Sequence, residues 1–117
     1  MEIPCRQFFQ LLADDTRLRC LLLIQHEGEL CVCELVHALG VIQPKISRHL
    51  AALRNEGVVT DRRAGQWVHY RLHPDLPAWA HAVLVATAVG AEQRQPFISD
   101  RDTLAQMPNR PGAARCA

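Results

Sequence analysis

The feature that most constrains this chain is a pair of short helical patterns joined by a glycine-containing turn. The first pattern covers about residues 33–39 and stops at Gly40. The second begins near Gln43, because Pro44 suits the first turn of a helix, where its missing N–H has no intrahelical partner. Gly57 ends this helix. Two helices in this arrangement predict a helix-turn-helix.

The second of these helices has one apolar face and one polar face. At about 100° per residue, Ile46, Leu50 and Leu53 fall within a narrow arc and are predicted to face the core. The polar residues of the first turns then point outward. Beyond Gly57, the run VVTDRRAGQWVHYRL has β-branched and aromatic residues on both sides of Arg63-Ala64-Gly65-Gln66, which predicts a β-hairpin with a basic tip.

Flanking segments complete a mainly α fold. Apolar periodicity predicts one helix from Ile3 to Ala13 and another that starts after the capping residues 14–16 and ends before Gly28. Residues 78–94 are rich in Ala, Val and Leu and low in charge. They predict a helix buried on more than one side, which in so small a protein implies a partner subunit.

The chain of 117 residues is long enough for a single domain. We assign 1–94 to this domain and 95–117, with several prolines, to a C-terminal tail that is partly flexible. No uninterrupted apolar run approaches the roughly 18 residues needed to span a bilayer. The first residues also lack the basic segment followed by a long apolar stretch that is typical of a signal peptide. We therefore expect a cytoplasmic protein without a membrane partner.

Positive charge is concentrated in the middle of the chain. Residues 1–42 carry three basic and six acidic residues (−3), residues 43–72 carry six and two (+4), and residues 73–117 carry four of each (0). An α-helix fits the major groove of double-stranded DNA, and basic residues bind phosphates. Alternatively, these basic residues are ordinary solvated surface charges without a partner. Their position on a helix-turn-helix followed by a hairpin favours DNA binding. The predicted DNA-binding residues are Gln43, Lys45, Ser47, Arg48, His49, Arg62 and Arg63.

Five cysteines, an odd and unevenly spaced set, favour thiol or metal chemistry over a disulfide framework. Cys31 and Cys33 lie just before a helix, where the dipole is expected to stabilise thiolate over thiol. Thiolates select soft metal ions. Cys20 lies on an apolar helical face and is interpreted as a packed core thiol.

The segments LADDTRL, ELCVCEL, QPKISRHLAALR and GQWVHYRL together resemble the ArsR/SmtB family of metal-responsive repressors, and most closely its arsenic-responsive branch. The resemblance covers about residues 8–94. It implies a winged helix-turn-helix that forms a homodimer through its first and last helices. It also implies a repressor that binds operator DNA of arsenic-resistance genes and is released by As(III) or Sb(III).

The thiol motif departs from the family at one position. In the resembled branch it is Cys-Val-Cys-x-x-Cys, but the third cysteine is replaced by Val36. Trivalent arsenic or antimony prefers three sulfurs, so a third ligand is needed besides Cys31 and Cys33. The candidates are Cys5 or Cys116, from the same or the other subunit, or a small thiol or water.

Other functions remain open at this point. Zinc prefers four ligands, and His81 and Glu92 on the last helix make a weak set. A repressor of the same fold sensing oxidants through Cys31 and Cys33, or a winged helix used only for protein contacts, is also possible. An enzyme is not expected, since Cys-x-Cys lacks the spacing and context of thioredoxin-like proteins and no nucleotide-binding or hydrolase motif is present.

Overall fold

The computed structural model describes residues 1–111, which form six helices and one three-stranded sheet. The helices and strands, in chain order, are α1 (Cys5–Leu12), α2 (Asp15–Glu27), β1 (Leu30–Cys31), α3 (Val32–Leu39), α4 (Gln43–Asn55), β2 (Val59–Ala64), β3 (Trp67–Leu72), α5 (Ala78–Ala91) and α6 (Phe97–Ala105).

Local sequence signals account for the helix boundaries. The Asp14 side chain accepts a hydrogen bond from the backbone N–H of Arg17 at 2.9 Å and so caps α2, which begins at Asp15; Asp14 is the first of the three residues 14–16 predicted as caps. Gly40 ends α3 in the left-handed conformation, with φ +66°, which glycine adopts without a Cβ clash. Pro44 lies in the first turn of α4. The helix-turn-helix is therefore α3 and α4, joined by residues 40–42.

The core confirms the predicted inner face of α4. Ile46, Leu50 and Leu53 are fully buried, as are Phe8 on α1 and Leu21 on α2. Each such side chain contributes about 1.5–3 kcal/mol relative to full exposure. Cys20 is also fully buried in this core, which confirms its interpretation as a packed thiol.

The sheet contains the predicted hairpin and one strand that sequence analysis did not predict. β2 and β3 pair antiparallel from Val59↔Leu72 to Ala64↔Trp67, around a turn at Gly65, which has φ +62°. The two-residue β1 pairs with the other edge of β3, with Cys31 opposite His69. The order β1-β3-β2 attaches the hairpin to the segment that precedes α3.

Within the stretch assigned to a C-terminal tail, the structure contains a helix, α6, that we did not predict. Asp100 on α6 accepts two hydrogen bonds from the Arg19 guanidinium of α2, at 2.7 and 3.0 Å. Arg19 also donates to the backbone oxygen of Leu39 at the end of α3. Leu104 is buried in the core. The packed part of the chain thus extends beyond residue 94.

Candidate functional site

The N-terminal half of α4 presents polar side chains to solvent. Gln43, Lys45 and Arg48 are exposed and Ser47 is half-buried. Within residues 1–111, neither Lys45 nor Arg48 has an acidic side chain within 4 Å. The Lys45 ammonium and the Arg48 guanidinium are therefore available to an external anion. The first turn of α4 contains no acidic residue. This surface has the charge and shape expected for a helix that enters a DNA groove.

The structure turns His49, the remaining predicted residue of α4, toward the protein. Its side chain is buried, with Nδ1 3.3 Å from an Arg17 guanidinium nitrogen and Nε2 3.7 Å from Asp14. Burial lowers the pKa of His49, opposed by the nearby carboxylate of Asp14. His49 thus joins α4 to the start of α2, and a contact between its side chain and DNA stays a prediction.

The two hairpin arginines have different surroundings. Arg62 donates twice to Glu29, at 2.6 and 2.9 Å, and this ion pair lowers the pKa of the Glu29 carboxyl. Arg63 is exposed, and among residues 1–111 no carboxylate lies within 4 Å of it. Its charge is therefore free to bind a phosphate, whereas that of Arg62 is already neutralised within the protein.

Cys31 and Cys33 bring two sulfurs together at the start of α3. Their Sγ atoms are 2.6 Å apart, with Cys31 buried and Cys33 half-buried. From the sequence, the helix dipole is expected to favour thiolate at both cysteines. For Cys31 this is wrong: burial raises the pKa of its thiol, and the adjacent Cys33 sulfur raises that pKa further. At this sulfur, loss of water and the neighbouring thiol outweigh the backbone hydrogen bond from Glu34, which lowers the pKa.

A buried carboxylate positions this pair, and sequence analysis missed it. Glu34 is fully buried, and its Oε1 accepts the backbone N–H of Cys31 at 2.8 Å. Its Oε2 accepts from Nε of Arg110 at 2.7 Å. A Glu three residues after a helix cap is a recognisable capping signal. Nothing in the sequence indicates Arg110, which lies 76 residues away.

Of the other cysteines that the structure describes, neither Cys5 nor Cys20 forms a metal-binding group with this pair. Cys5 is exposed at the start of α1. Cys20 is in the core, where burial raises the pKa of its thiol to about 12. Cys116 lies outside the described residues. In the part of the chain that the structure covers, no three His, Cys, Asp or Glu side chains form a metal-binding group, so neither His81 nor Glu92 belongs to one.

A cleft lies beside Cys33, between α3, α4 and the hairpin. Its volume is about 520 Å³. Val36 and Tyr70 contribute apolar surface, while Gln43 and Ser47 of α4 line the opposite part. Because the cleft touches Cys33, the polar end of α4 and the hairpin, these three parts of the molecule meet at one place.

Apolar side chains remain exposed on α1 and α5. Phe9 is 50% exposed, Val85 is 44% exposed and Val89 is 70% exposed. The two helices are joined by Phe8, whose ring packs edge-to-face on Trp79 with centroids 5.3 Å apart. In residues 1–111 no helix is long and apolar enough to cross a membrane.

Comparison with known proteins gives consistent relatives. Residues 14–61 match the family described as bacterial regulatory protein, arsR family. The chain is 57% identical over 104 residues to the arsenic resistance transcriptional regulator ArsR1 of Pseudomonas putida, covering 88% of this chain and 79% of that protein. It is 58% identical over 78 residues to the arsenical resistance operon repressor of Escherichia coli K12, covering 67% of each.

Solved structures agree with the fold. HlyU from Vibrio cholerae matches with a TM-score of 0.65 and 30% identity, over 73% of this chain and 88% of that one. The antimony-specific transcriptional repressor AntR matches with a TM-score of 0.60 and 28% identity, over 80% and 90%. With the order of helices and strands, these matches confirm the predicted winged helix-turn-helix, in which the β2–β3 hairpin is the wing.

Proposed function

This chain belongs to the arsR family of bacterial regulatory proteins, and we propose that it is a homodimeric repressor released from operator DNA of arsenic-resistance genes by trivalent arsenic or antimony. Its relatives are transcriptional regulators, not enzymes. The observation that carries the proposal is the pair of adjacent thiols at the start of α3, the helix that packs against α4. The proposed action on DNA places the protein in the cytoplasm.

In this proposal α4 is the recognition helix. Lys45 and Arg48 donate to base edges or phosphates in the major groove, and Gln43 and Ser47 supply neutral hydrogen bonds. Arg63 binds the adjacent backbone or minor groove from the wing. What supports the assignment is that these three cations are unpaired within residues 1–111.

The exposed apolar face of α1 and α5 supports a dimer. Phe9, Val85 and Val89 would be removed from water in a two-fold interface, as the first and last helices of the predicted domain meet those of a second copy. A dimer presents two recognition helices, and these bind half-sites about 34 Å apart when they face one side of the duplex.

Metalloid binding is coupled to DNA through α3. Cys31 precedes α3 and Cys33 lies in its first turn, so closing both sulfurs on one ion shifts the helix that packs against α4. Metalloid binding then weakens DNA binding and, by linkage, DNA binding weakens metalloid binding by the same factor. The typical coupling free energy is about 1–3 kcal/mol. Because a ligating sulfur must be deprotonated, metalloid binding releases the thiol protons of Cys31 and Cys33.

The third sulfur is proposed to come from Cys116 or Cys5. Arg110 is held by Glu34, the residue that binds the backbone N–H of Cys31. Cys116 is six positions after Arg110 in the sequence, and an extended chain spans at most about 3.6 Å per residue. This reach, of roughly 20 Å, favours Cys116. Cys5, exposed on α1, is the alternative.

The test is release of a fluorescent operator fragment from the reduced protein, titrated with arsenite, antimonite and zinc. We expect the two metalloids to release DNA and zinc to have no effect. Cys31→Ser and Cys33→Ser each abolish release, and Cys116→Ser or Cys5→Ser weakens it, according to which supplies the third ligand. Cys20→Ala is the matched control and keeps the response. Arsenite release from the Cys31→Ser, Cys33→Ser double variant overturns the assignment.

Oxidant sensing is the second candidate, favoured because the two thiols are neighbours in the structure. Peroxide would convert the two thiols to one disulfide with release of two water molecules. A peroxide titration in the same assay separates the two functions. Release by peroxide at concentrations well below those of arsenite supports the oxidant sensor, whereas release by arsenite alone supports the metalloid sensor.

A further inference from the structure

The end of the described chain contacts the start of α3. Helix α6 packs against α3, and the residues that follow it lead to Arg110, whose Nε donates to the fully buried carboxylate of Glu34 at 2.7 Å. The other oxygen of this carboxylate accepts the backbone N–H of Cys31 at 2.8 Å. A buried carboxylate that loses a donor has no water to replace it, which is costly. A displacement of Cys31 therefore draws Glu34 with it and disturbs the contact with Arg110.

A second contact holds the other end of the same helix. Leu39 is the last residue of α3, and its backbone oxygen accepts a hydrogen bond from Nη2 of Arg19 at 3.0 Å. The Arg19 guanidinium is in turn bound by both carboxylate oxygens of Asp100 on α6, and Asp100 is only 3% exposed. Two parallel bonds between a guanidinium and a carboxylate fix their relative orientation. The end of α3 is thereby fixed just before the turn that leads to α4.

The two contacts form one unit, the α3 restraint, made of Arg110–Glu34 at the start of the helix and Asp100–Arg19–Leu39 at its end. Both act on the helix whose first turn contains Cys33 and which packs against α4. The cost of taking charges out of water offsets much of the attraction within a buried ion pair, whereas removal of one partner is strongly unfavourable. The α3 restraint is therefore better suited to holding one position of the helix than to adding stability.

We propose that Arg110 and Asp100 are positioning residues that hold α3 in the position that binds operator DNA, and that metalloid binding at Cys31 and Cys33 works against them. This inference rests on the proposed function and adds the element that opposes induction. A contact made in only one of two states shifts the equilibrium toward that state. Weakening either end of the restraint therefore favours the shifted position of α3, which is the position that binds the metalloid.

The expected effect on the two affinities follows from this equilibrium. In the free protein α3 is mostly in the DNA-binding position, so a weaker restraint raises the population of the shifted position and the apparent arsenite affinity by the same factor. Operator affinity falls less, because most molecules still hold α3 in place. A contact that only stabilises the fold would instead leave the arsenite affinity unchanged or lower it, since the folded fraction falls.

The test titrates arsenite into the reduced full-length protein without DNA, by isothermal titration calorimetry, and measures operator affinity separately by fluorescence anisotropy. Arg110→Gln loosens the start of α3 and Asp100→Asn loosens its end. We expect each variant to bind arsenite about fivefold more tightly than its background, the low end of typical couplings, and to lose no more than about fivefold in operator affinity. Both are also made in a Cys116→Ser background, so that a looser chain end does not change the supply of a third sulfur.

Matched controls separate the restraint from surface charge and from stability. Asp102→Asn makes the same change as Asp100→Asn on the same helix, but at an exposed side chain that has no ion pair within residues 1–111. Ile24→Val removes a methyl group from a fully buried side chain of α2 and lowers stability. Neither control should change the arsenite affinity. Arg110→Lys keeps a charged donor, so its arsenite affinity should lie between those of Arg110→Gln and the parent.

The outcomes separate the inference from the function beneath it. If arsenite binds Cys31 and Cys33 and releases DNA, but Arg110→Gln or Asp100→Asn binds it no more tightly than its background, the α3 restraint does not oppose induction and the repressor stands. If arsenite neither binds the parent nor releases its DNA, the proposed function fails and the inference fails with it. Should Arg110→Gln not fold, Glu34→Gln replaces it, because an amide oxygen still accepts the N–H of Cys31 but carries no charge for Arg110.

Discussion

Arg110 donates from Nε to the fully buried carboxylate of Glu34 at 2.7 Å, and the other oxygen of the same carboxylate holds the backbone N–H of Cys31. Residues near the C-terminal end of the described chain thereby stabilise the start of α3. A second arm of the Arg110 guanidinium donates to Glu27 at 3.0 Å, closer to solvent. The thiol pair is thus positioned by a contact between distant parts of the sequence.

Replacing Arg110 with alanine is expected to lower the free energy of unfolding by about 1–3 kcal/mol, because the buried Glu34 carboxylate loses a charged donor. Urea denaturation measures the change. Glu27→Gln is the control, since it removes only the partner nearer to solvent, and its effect should stay below about 1 kcal/mol. An Arg110→Ala protein as stable as the parent would contradict the role given to this contact.

His49 makes stability depend on pH. Because burial lowers its pKa in the folded protein below the ordinary value of 6.5, the unfolded chain binds a proton more readily. The stabilisation is complete above pH 6.5 and is lost as pH falls from there through the lowered folded-state pKa. The pKa of Asp14 is also lowered, from 3.8, so its contribution is lost only in more acidic solution. Urea denaturation between pH 8 and 5, where Asp14 stays ionised, measures the free energy of unfolding of the parent and of His49→Gln. The two free energies should converge as the pH falls. Parallel curves would contradict this prediction.

Arg63 and Arg62 are expected to differ in DNA binding, although they are adjacent on the wing. Arg63→Ala removes a free cation and should reduce the salt dependence of operator affinity, by about 0.9 in the log–log slope for each lost phosphate contact. Arg62→Ala removes a cation already paired with Glu29 and should change the slope less. Operator affinity measured at several salt concentrations distinguishes the two. Equal slopes for both variants would show that the pairing does not persist on DNA.

Val89→Glu tests the dimer. Val89 is exposed on α5, and in an apolar interface a carboxylate there loses its water, so we expect dissociation to a monomer and loss of operator affinity. Sedimentation velocity measures the oligomeric state. Gln106→Glu, the same charge change just after α6, is the control and should leave the dimer intact. A dimeric Val89→Glu protein would place the interface elsewhere.

Much of the fold was predictable because its signals are local. The capping residue Asp14, the stop at Gly40, Pro44 in the first turn of α4 and the apolar arc of α4 each act over a few residues and needed no knowledge of the tertiary structure. The pairing of Cys31 and Cys33 is local in the same sense. These signals cover the helix-turn-helix, the wing and the two proposed ligands.

The features that escaped prediction depend on residues far apart in sequence. Arg19 and Asp100 are 81 residues apart, and their ion pair joins α6 to α2. Arg62 and Glu29 are 33 residues apart. No periodicity reports such pairs, so α6 was missed and Arg62 was grouped with Arg63. The raised pKa of Cys31 has the same origin, because its burial is set by the tertiary structure around it.

Cys31 ends β1 and also precedes α3, so it belongs to the wing's sheet and to the helix-turn-helix together. In our proposal, the same displaced sulfur therefore disturbs both contacts with the operator simultaneously. We therefore expect no subunit that keeps its groove contact with DNA but has lost its wing contact. Each subunit should accordingly lose its groove contact and its wing contact together when it binds the metalloid.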